Sequence, residues 1–228
     1  MYLLTNNFDF TVVGSAFYQV EKLDMNIPNY HQLCSDLGYK KLSFVPQLRF
    51  FAAYKAKLTD FLSGATQYLL VTEKILKILL DFNIDNYQYF EADIVYRKKH
   101  YTYYLFYIYG DNYEWINYKN MTFLGESNRP YGDFYRKPHE QFNTQKKEIK
   151  VEKPEQLINW QKLYPDYPNQ DYECLKLNHS NINQDIIRTP SLLGNHYLVS
   201  ERLRNKLIEV GCTGMLFRTE DSRGRSIL

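Results

Sequence analysis

The chain predicts an α+β protein with mixed α/β pairing, on three observations. Two passages spell strand, capped helix and strand in the same order. A tyrosine-rich stretch between them alternates with the period of an extended strand, and a long proline-bearing stretch follows with no regular period of its own. The expected plan is a single domain over 1–228. It holds a first strand-helix-strand unit at about 58–96, a Tyr-rich hairpin at about 100–124, a loop-rich excursion at about 126–172 and a second strand-helix-strand unit at about 185–218, the two units built around a mixed sheet.

In the first unit, Tyr68-Leu69-Leu70-Val71 is a short apolar run of strand type. Thr72 then stands where a hydroxyl can accept from the open amides of a helix that begins at Glu73, whose charge suits the positive helix start. Ile75, Ile78, Leu79 and Phe82 fall at i, i+3, i+4 and i+7, and Leu76 and Leu80 widen that stripe, so the helix is expected to be deeply buried. Asn83 or Asp85-Asn86 supplies the turn into "YQYFEADIVY", which reads as a strand.

The second unit repeats this order at a spacing of 128 residues. Leu198-Val199 answers Leu70-Val71, Ser200 answers Thr72, Glu201 answers Glu73, and Leu207-Ile208-Glu209 answers Leu79-Leu80-Asp81. Leu203, Leu207 and Val210 make a narrower stripe, Gly211 can turn left-handed past the helix end, and Met215-Leu216-Phe217 follows as a strand. Because the match runs through the helix and not only its cap, a structural repeat is expected, with Thr72 and Ser200 as its helix caps.

Between the units, "HYTYYLFYIYGDNYEWINY" places Tyr101, Tyr103, Leu105, Tyr107 and Tyr109 on one face of a strand and Tyr104, Phe106 and Ile108 on the other. Gly110-Asp111-Asn112 reads as a hairpin turn into "YEWINY". The stretch from Glu126 to Tyr172 holds five of the eight prolines, with a strand expected at "KEIKVE" and a short helix near Pro154 to Leu163. It is too long for a plain connector.

Composition excludes several classes. Hydrophobic residues at 44% and charged residues at 24% are ordinary for a globular chain, which argues against disorder. A net charge of +2 lacks the one-signed field of a dedicated nucleic-acid binder. The start, "MYLLTNNFDFTVVGS", has no basic segment ahead of an apolar one. The longest apolar run, Tyr103 to Tyr109, falls far short of the roughly 20 residues of a membrane span, so a cytoplasmic protein with no membrane partner is expected. Cys34, Cys174 and Cys212 are odd in number and far apart, suggesting reduced thiols. Asn, Lys, Ile and Tyr are plentiful together, as AT-rich codon usage would produce, so only clustered tyrosines count among the 22.

The reactive motifs are missing. No phosphate-binding glycine loop and no Gly-x-Ser-x-Gly elbow can be read, and His31, His100, His139, His179 and His196 never fall at metal-ligand spacing. Cys212 follows a helix C-terminus, whose dipole disfavours a thiolate, and reads as a buried filler. Glu91 with Asp93, or Asp111 with Glu114, read as solvated carboxylates. No catalytic residue, metal ligand or cofactor is therefore assigned. The candidate contact residues are aromatic and acidic: Tyr103, Tyr107, Tyr109, Asp111, Tyr113, Glu114 and Trp115, with Tyr131 and Tyr135 in the excursion.

The passages "LTDFLSGATQYLLVTEKILKILLD" (58–81) and "DIIRTPSLLGNHYLVSERLRNKLIEVGCTGMLF" (185–217) resemble the two hallmarks of immunity proteins of bacterial polymorphic toxin systems, immunity family eleven, with family forty-three as a relative. The resemblance covers roughly a third of the chain, and its matching positions are scaffold residues. It implies a non-catalytic protein that neutralises a cognate toxin effector domain, encoded beside it, by steric occlusion. The tyrosine-rich strand and the excursion lie outside it. Two alternatives stay open: a hydrolase whose site is assembled from scattered His, Asp and Cys, and a single-stranded nucleic-acid module using Tyr104, Phe106 and the run Arg97 to Lys99. Oligomeric state is not legible.

Overall fold

A computed structural model describes the chain except residues 15–17, 38, 65–67, 127–145, 168, 221–225 and 228, and except the side chains of Asn169 and Ser191. Among the described residues the class is α+β, with thirteen strands and six helices. In chain order they are β1 (Tyr2–Asn6), α1 (Phe10–Val13), β2 (Val20–Leu23), α2 (Tyr30–Asp36), β3 (Leu48–Ala52), β4 (Phe61–Leu62), β5 (Leu69–Val71), α3 (Glu73–Leu80), β6 (Tyr87–Tyr96) and β7 (Lys99–Ile108). There follow β8 (Phe123–Glu126), β9 (Lys146–Ile149), α4 (Pro154–Ile158), α5 (Trp160–Leu163), β10 (Asn169–Tyr172), β11 (Ile186–Arg188), β12 (Tyr197–Val199), α6 (Glu201–Glu209) and β13 (Met215–Arg218).

The chain divides into two compact units where one domain was expected: residues 1–112 with 183–218, and residues 113–182 with 219–228. The reason is that the inserted stretch carries its own sheet and core. In that second unit β10, β8 and β9 form an antiparallel sheet in that order, α4 and α5 lie between β9 and β10 in the chain, and Phe123, Ile149, Leu157 and Trp160 are buried. The Trp160 indole N–H donates to Tyr167 O, as a buried indole requires. Pro154 opens α4, and Gln156 accepts from the Lys153 amide at 3.0 Å.

In the first unit both expected strand-helix-strand passages form, and each owns a sheet instead of sharing one. The first lies in a six-stranded sheet of order β2-β3-β6-β7-β5-β4, mixed because β3 and β6 run parallel, and the second in a four-stranded sheet of order β11-β12-β1-β13. The blocks β4-β5-β7-β6 and β11-β12-β1-β13 are equivalent: a short edge strand, the strand before the helix, an inserted antiparallel strand, then the strand after the helix. The inserted strand differs in origin. It is β7, next in the chain, in the first copy, and β1, from the other end of the unit, in the second.

Two aspartates stitch the copies together. Asp60 accepts from the Thr72 hydroxyl at 3.1 Å at the start of α3, and from Thr213 N and Oγ1 at 3.0 Å in the turn after α6. Asp185 accepts from the Ser200 hydroxyl at 2.7 Å at the start of α6, and from Asn83 N at 3.0 Å in the turn after α3. Each carboxylate thus joins one helix's start to the other's exit. The two helices share a core, with Ile75, Leu76 and Leu79 of α3 and Leu203 and Leu207 of α6 packed with Val71, Phe106, Val199 and Met215. Gly214, at φ +90°, lets the exit turn of the second copy pass against β4, where a Cβ would overlap Phe61 O.

The caps divide. Ser200 accepts from Leu203 N at 3.1 Å, as expected, whereas Thr72 sits at the N-cap position without a bond to a helix amide, its hydroxyl going to Asp60. Gly211 is left-handed at φ 67°, and the first copy turns at Asn86, φ 51°. The six-stranded sheet curls until its edges meet: Val20 N donates to Ser63 O at 3.0 Å and Ser63 N to Gln19 Oε1 at 2.9 Å, beside β4. Its inner face holds Leu48, Phe50, Ile94, Leu105 and Tyr107, sealed by Leu33 and Leu37. No helix among the described residues is long and apolar enough to cross a membrane.

The hairpin also falls elsewhere than expected. β6 and β7 form it, joined by Arg97-Lys98, while after Gly110 the chain enters short 3-10 turns at Tyr113–Trp115 and Tyr118–Asn120 with no return strand on β7. Arg97 and Lys98 are both left-handed, at φ 49° and 65°, as a two-residue turn between right-twisted strands demands. Neither is a residue that favours this geometry, and the conformation costs about 1 kcal/mol each.

Candidate interaction surface

The tyrosine alternation is real, but from Tyr103 to Ile108 both faces of β7 are covered, with the curled sheet's interior on one side and the α3/α6 core on the other, and only its first four residues are exposed. Tyr103 and Tyr107 are therefore corrected from contact residues to core residues. The Tyr103 hydroxyl donates to Thr59 O at 2.8 Å, and the Tyr107 hydroxyl donates to Gln88 Oε1 and Lys40 O. Burial pushes the Tyr107 phenol up to about 12. Phe106, proposed for base stacking, is fully buried, and Tyr104 is half-buried.

The remaining candidates scatter. Tyr109 is half-buried against the inner core. Asp111 pairs with Arg188 at 3.2 Å, whose side chain is fully buried and also donates to Gly110 O and Asn195 Oδ1, so this carboxylate anchors the exit of β7. Tyr113, Glu114 and Trp115 belong to the other unit, where Trp115 is buried, Tyr113 half-buried and Glu114 exposed. Tyr131 and Tyr135, like His139, lie outside the described residues. The Cys212 thiol is pushed up to about 11, chiefly by burial with the Asp60 charge adding, which keeps it protonated.

An open surface exists on the outer face of the same sheet, where α3 does not reach. Register aligns Lys22, Phe51, Val95 and His100 in one row across β2, β3, β6 and β7. Phe51 and Val95 are half-buried while Lys22 and His100 are exposed, and the Lys22 ammonium lies 5.4 Å from the Phe51 ring. The next row carries Arg49, Asp93 and Thr102. Arg49 Nε donates to Asp93 at 3.0 Å and its Nη1 lies 3.8 Å from Asp24, while His100 Nδ1 is 2.9 Å from Asp93. Glu91 and the exposed Tyr89 continue the face along β6. A cleft of about 180 Å³, between Asp24, Ile27, Pro28, Leu48, Arg49 and Asp93, opens beside it.

Charges held by cross-strand partners around half-buried apolar groups give a rigid surface. Sequence reasoning passed over it because Phe51 lies in "LRFFA", which has no visible partner until the parallel β3–β6 pairing places Phe51 beside Val95. Asp93, read as a solvated carboxylate, proves to be the hub of the second row. Among the described residues no group of three or more His, Cys, Asp or Glu side chains is placed to hold a metal ion. Compared with known proteins, the chain matches no family profile, no curated protein and no solved structure.

Proposed function

We propose that this chain is an immunity-type inhibitor, which protects a cell by covering the effector domain of a bacterial polymorphic toxin with the outer face of its six-stranded sheet. The observation that carries the reading is the row Lys22, Phe51, Val95 and His100: an apolar centre with polar flanks, on a frame stiffened by a closed sheet edge. Two further features support it. The stretches resembling the immunity family, 58–81 and 185–217, supply β4, β5 and α3 of one block and β11, β12, α6 and most of β13 of the other, and every residue of that row lies outside them. A partner-specific surface belongs on positions outside the shared scaffold. The test is growth rescue in cells expressing the neighbouring toxin's effector domain. Wild type rescues, whereas Phe51→Asp and Val95→Asp, folded by circular dichroism, do not; rescue by both variants would remove the face from the interface.

A second reading, catalysis, has one observation in its favour. Asp93 holds the exposed His100 by Nδ1, as in acid-base dyads. It requires turnover of a substrate by the purified chain and its loss in His100→Ala, with rescue of growth lost in parallel.

A further inference from the structure

The chain is nearly neutral, at +2, yet its charge is not evenly laid out. Residues 46–59 and 94–110 contain Arg49, Lys55, Lys57, Arg97, Lys98 and Lys99 and not one carboxylate. The fold brings the ends of these stretches together. Arg97 lies 5.2 Å from the Tyr54 ring and 4.9 Å from the Tyr96 ring, its Nε and Nη2 donate to Tyr54 O, and the Tyr96 hydroxyl donates to Ala56 O at 2.6 Å. Arg49 is matched by Asp93 and Asp24, and Lys57 donates to Thr11 O. Lys55, Arg97, Lys98 and Lys99 are exposed, and none has a carboxylate partner among the described residues. A second observation is independent of charge. The turn that presents two of these cations is left-handed at both positions, which Asn-Gly would adopt freely and Arg-Lys does not. A local conflict of this kind, in a tightly held hairpin, is found most often at residues that serve a contact outside the turn.

We infer that the tip of the β6–β7 hairpin, with Lys55 beside it, is the capture point for an acidic protein surface. Lys55, Lys98 and Lys99 supply a compact positive field that speeds encounter, and Arg97, immobilised between two rings, offers a preorganised donor for a partner carboxylate. The tip follows directly on Val95 and His100 along β6 and β7, with Tyr96 and Lys99 on the opposite face of the sheet from that row, so capture takes place at the rim of the proposed burial face. Nucleic acid fits less well. Tyr54 and Tyr96 are engaged with Arg97, Tyr101 leans on Tyr96 with ring centroids 6.4 Å apart, and Phe106 is buried, which leaves no row of free ring faces for bases. This builds on the reading of the chain as a toxin-covering protein and adds the chemistry of the partner: the effector's contacting surface is acidic.

The probes are a short poly-glutamate peptide and a single-stranded oligothymidylate of equal charge, titrated into the full chain and followed by amide resonances. The peptide is expected to shift Lys55 and Arg97 to His100, and to weaken about tenfold between low and physiological salt. In Arg97→Asn combined with Lys98→Gly, the melting temperature holds or rises because the turn is relaxed, while peptide affinity falls about tenfold. Lys55→Ser with Lys99→Ser, which leaves the turn untouched, shows the same loss of affinity. Unchanged peptide binding in both variants, shifts confined to other residues, or tighter binding of the oligonucleotide at the tip would each overturn the assignment. With the effector domain itself, both variants associate about tenfold more slowly. An effector that binds both variants as it binds wild type removes the tip and leaves the inhibitory reading standing. One ignored by wild type, while the peptide still maps to the tip, removes the toxin and leaves the tip.

Discussion

The two strand-helix-strand copies have the same sheet order, and they bury their helices differently. In the first, α3 lies against the long β7 and hides Ile75, Leu76 and Leu79, while in the second α6 hides only Leu203 and Leu207. The first copy is continuous in the chain, whereas the second must borrow β1 from residues 2–6 before it is complete. The stapling of the second is correspondingly stronger. Asp185 is buried and accepts from Ser200, Asn83 N and Arg202, whereas Asp60 is only half-buried and holds Thr72 and Thr213. A copy assembled from distant pieces lacks the entropic help of local closure, and polar stitching with good geometry compensates.

The largest test of this equivalence is in the shared core. Leu79 and Leu207 occupy the same repeat position and are both fully buried, so Leu79→Ala and Leu207→Ala should each cost about 3 kcal/mol by denaturant unfolding. Both side chains line one cluster, so the double variant should depart from the sum of the singles.

Next in size is the asymmetry of the staples. Asp185→Ala should cost about 2 kcal/mol, since it strands a backbone amide and a serine hydroxyl inside the unit, and Asp60→Ala about half as much. Burial by itself would raise the Asp185 pKa, but hydrogen bonds from Arg202, Ser200 and Asn83 N outweigh it and hold the carboxyl below its ordinary 3.8. A depressed folded value means the stabilisation is present above the unfolded pKa and is lost as pH falls through the folded one. Wild type should lose stability below about pH 4, and Asp185→Asn should flatten that limb of the curve.

The caps come third. Ser200→Ala should cost about 1 kcal/mol, because it removes both a cap and a staple, whereas Thr72→Ala removes a staple alone and should cost less. Smallest is Lys74, whose ammonium reaches Val210 O at 2.7 Å across the copies from an exposed position, so Lys74→Ala should unfold within error of wild type. Equal costs for Ser200 and Thr72, or for Asp185 and Asp60, would show that the copies are stapled alike.

Local signals carried a large part of the fold. The strand "YQYFEADIVY" forms as β6 over Tyr87–Tyr96, Ser200 caps its helix, and the two passages 128 residues apart take equivalent places. Each of these is specified within a few residues, by period, cap or turn chemistry. The site was far less legible. Tyr103 and Tyr107 alternate as a half-exposed strand would, and only what packs against each face of β7 decides whether such a strand shows a face to water. The turn at Arg97-Lys98 runs against propensity, so nothing local announced it.

The order of residues by itself settled the class, the repeat, the two capped helices α3 and α6 and six of the thirteen described strands, because period and capping act within one or two turns of chain. Tertiary pairing alone decided that the copies own separate sheets, that β1 completes the second, that Tyr103 and Tyr107 lie inside, and that Phe51, Val95 and the cationic hairpin tip face outward. Burial depends on what arrives from distant sequence to cover a face, and no window of neighbouring residues contains that information.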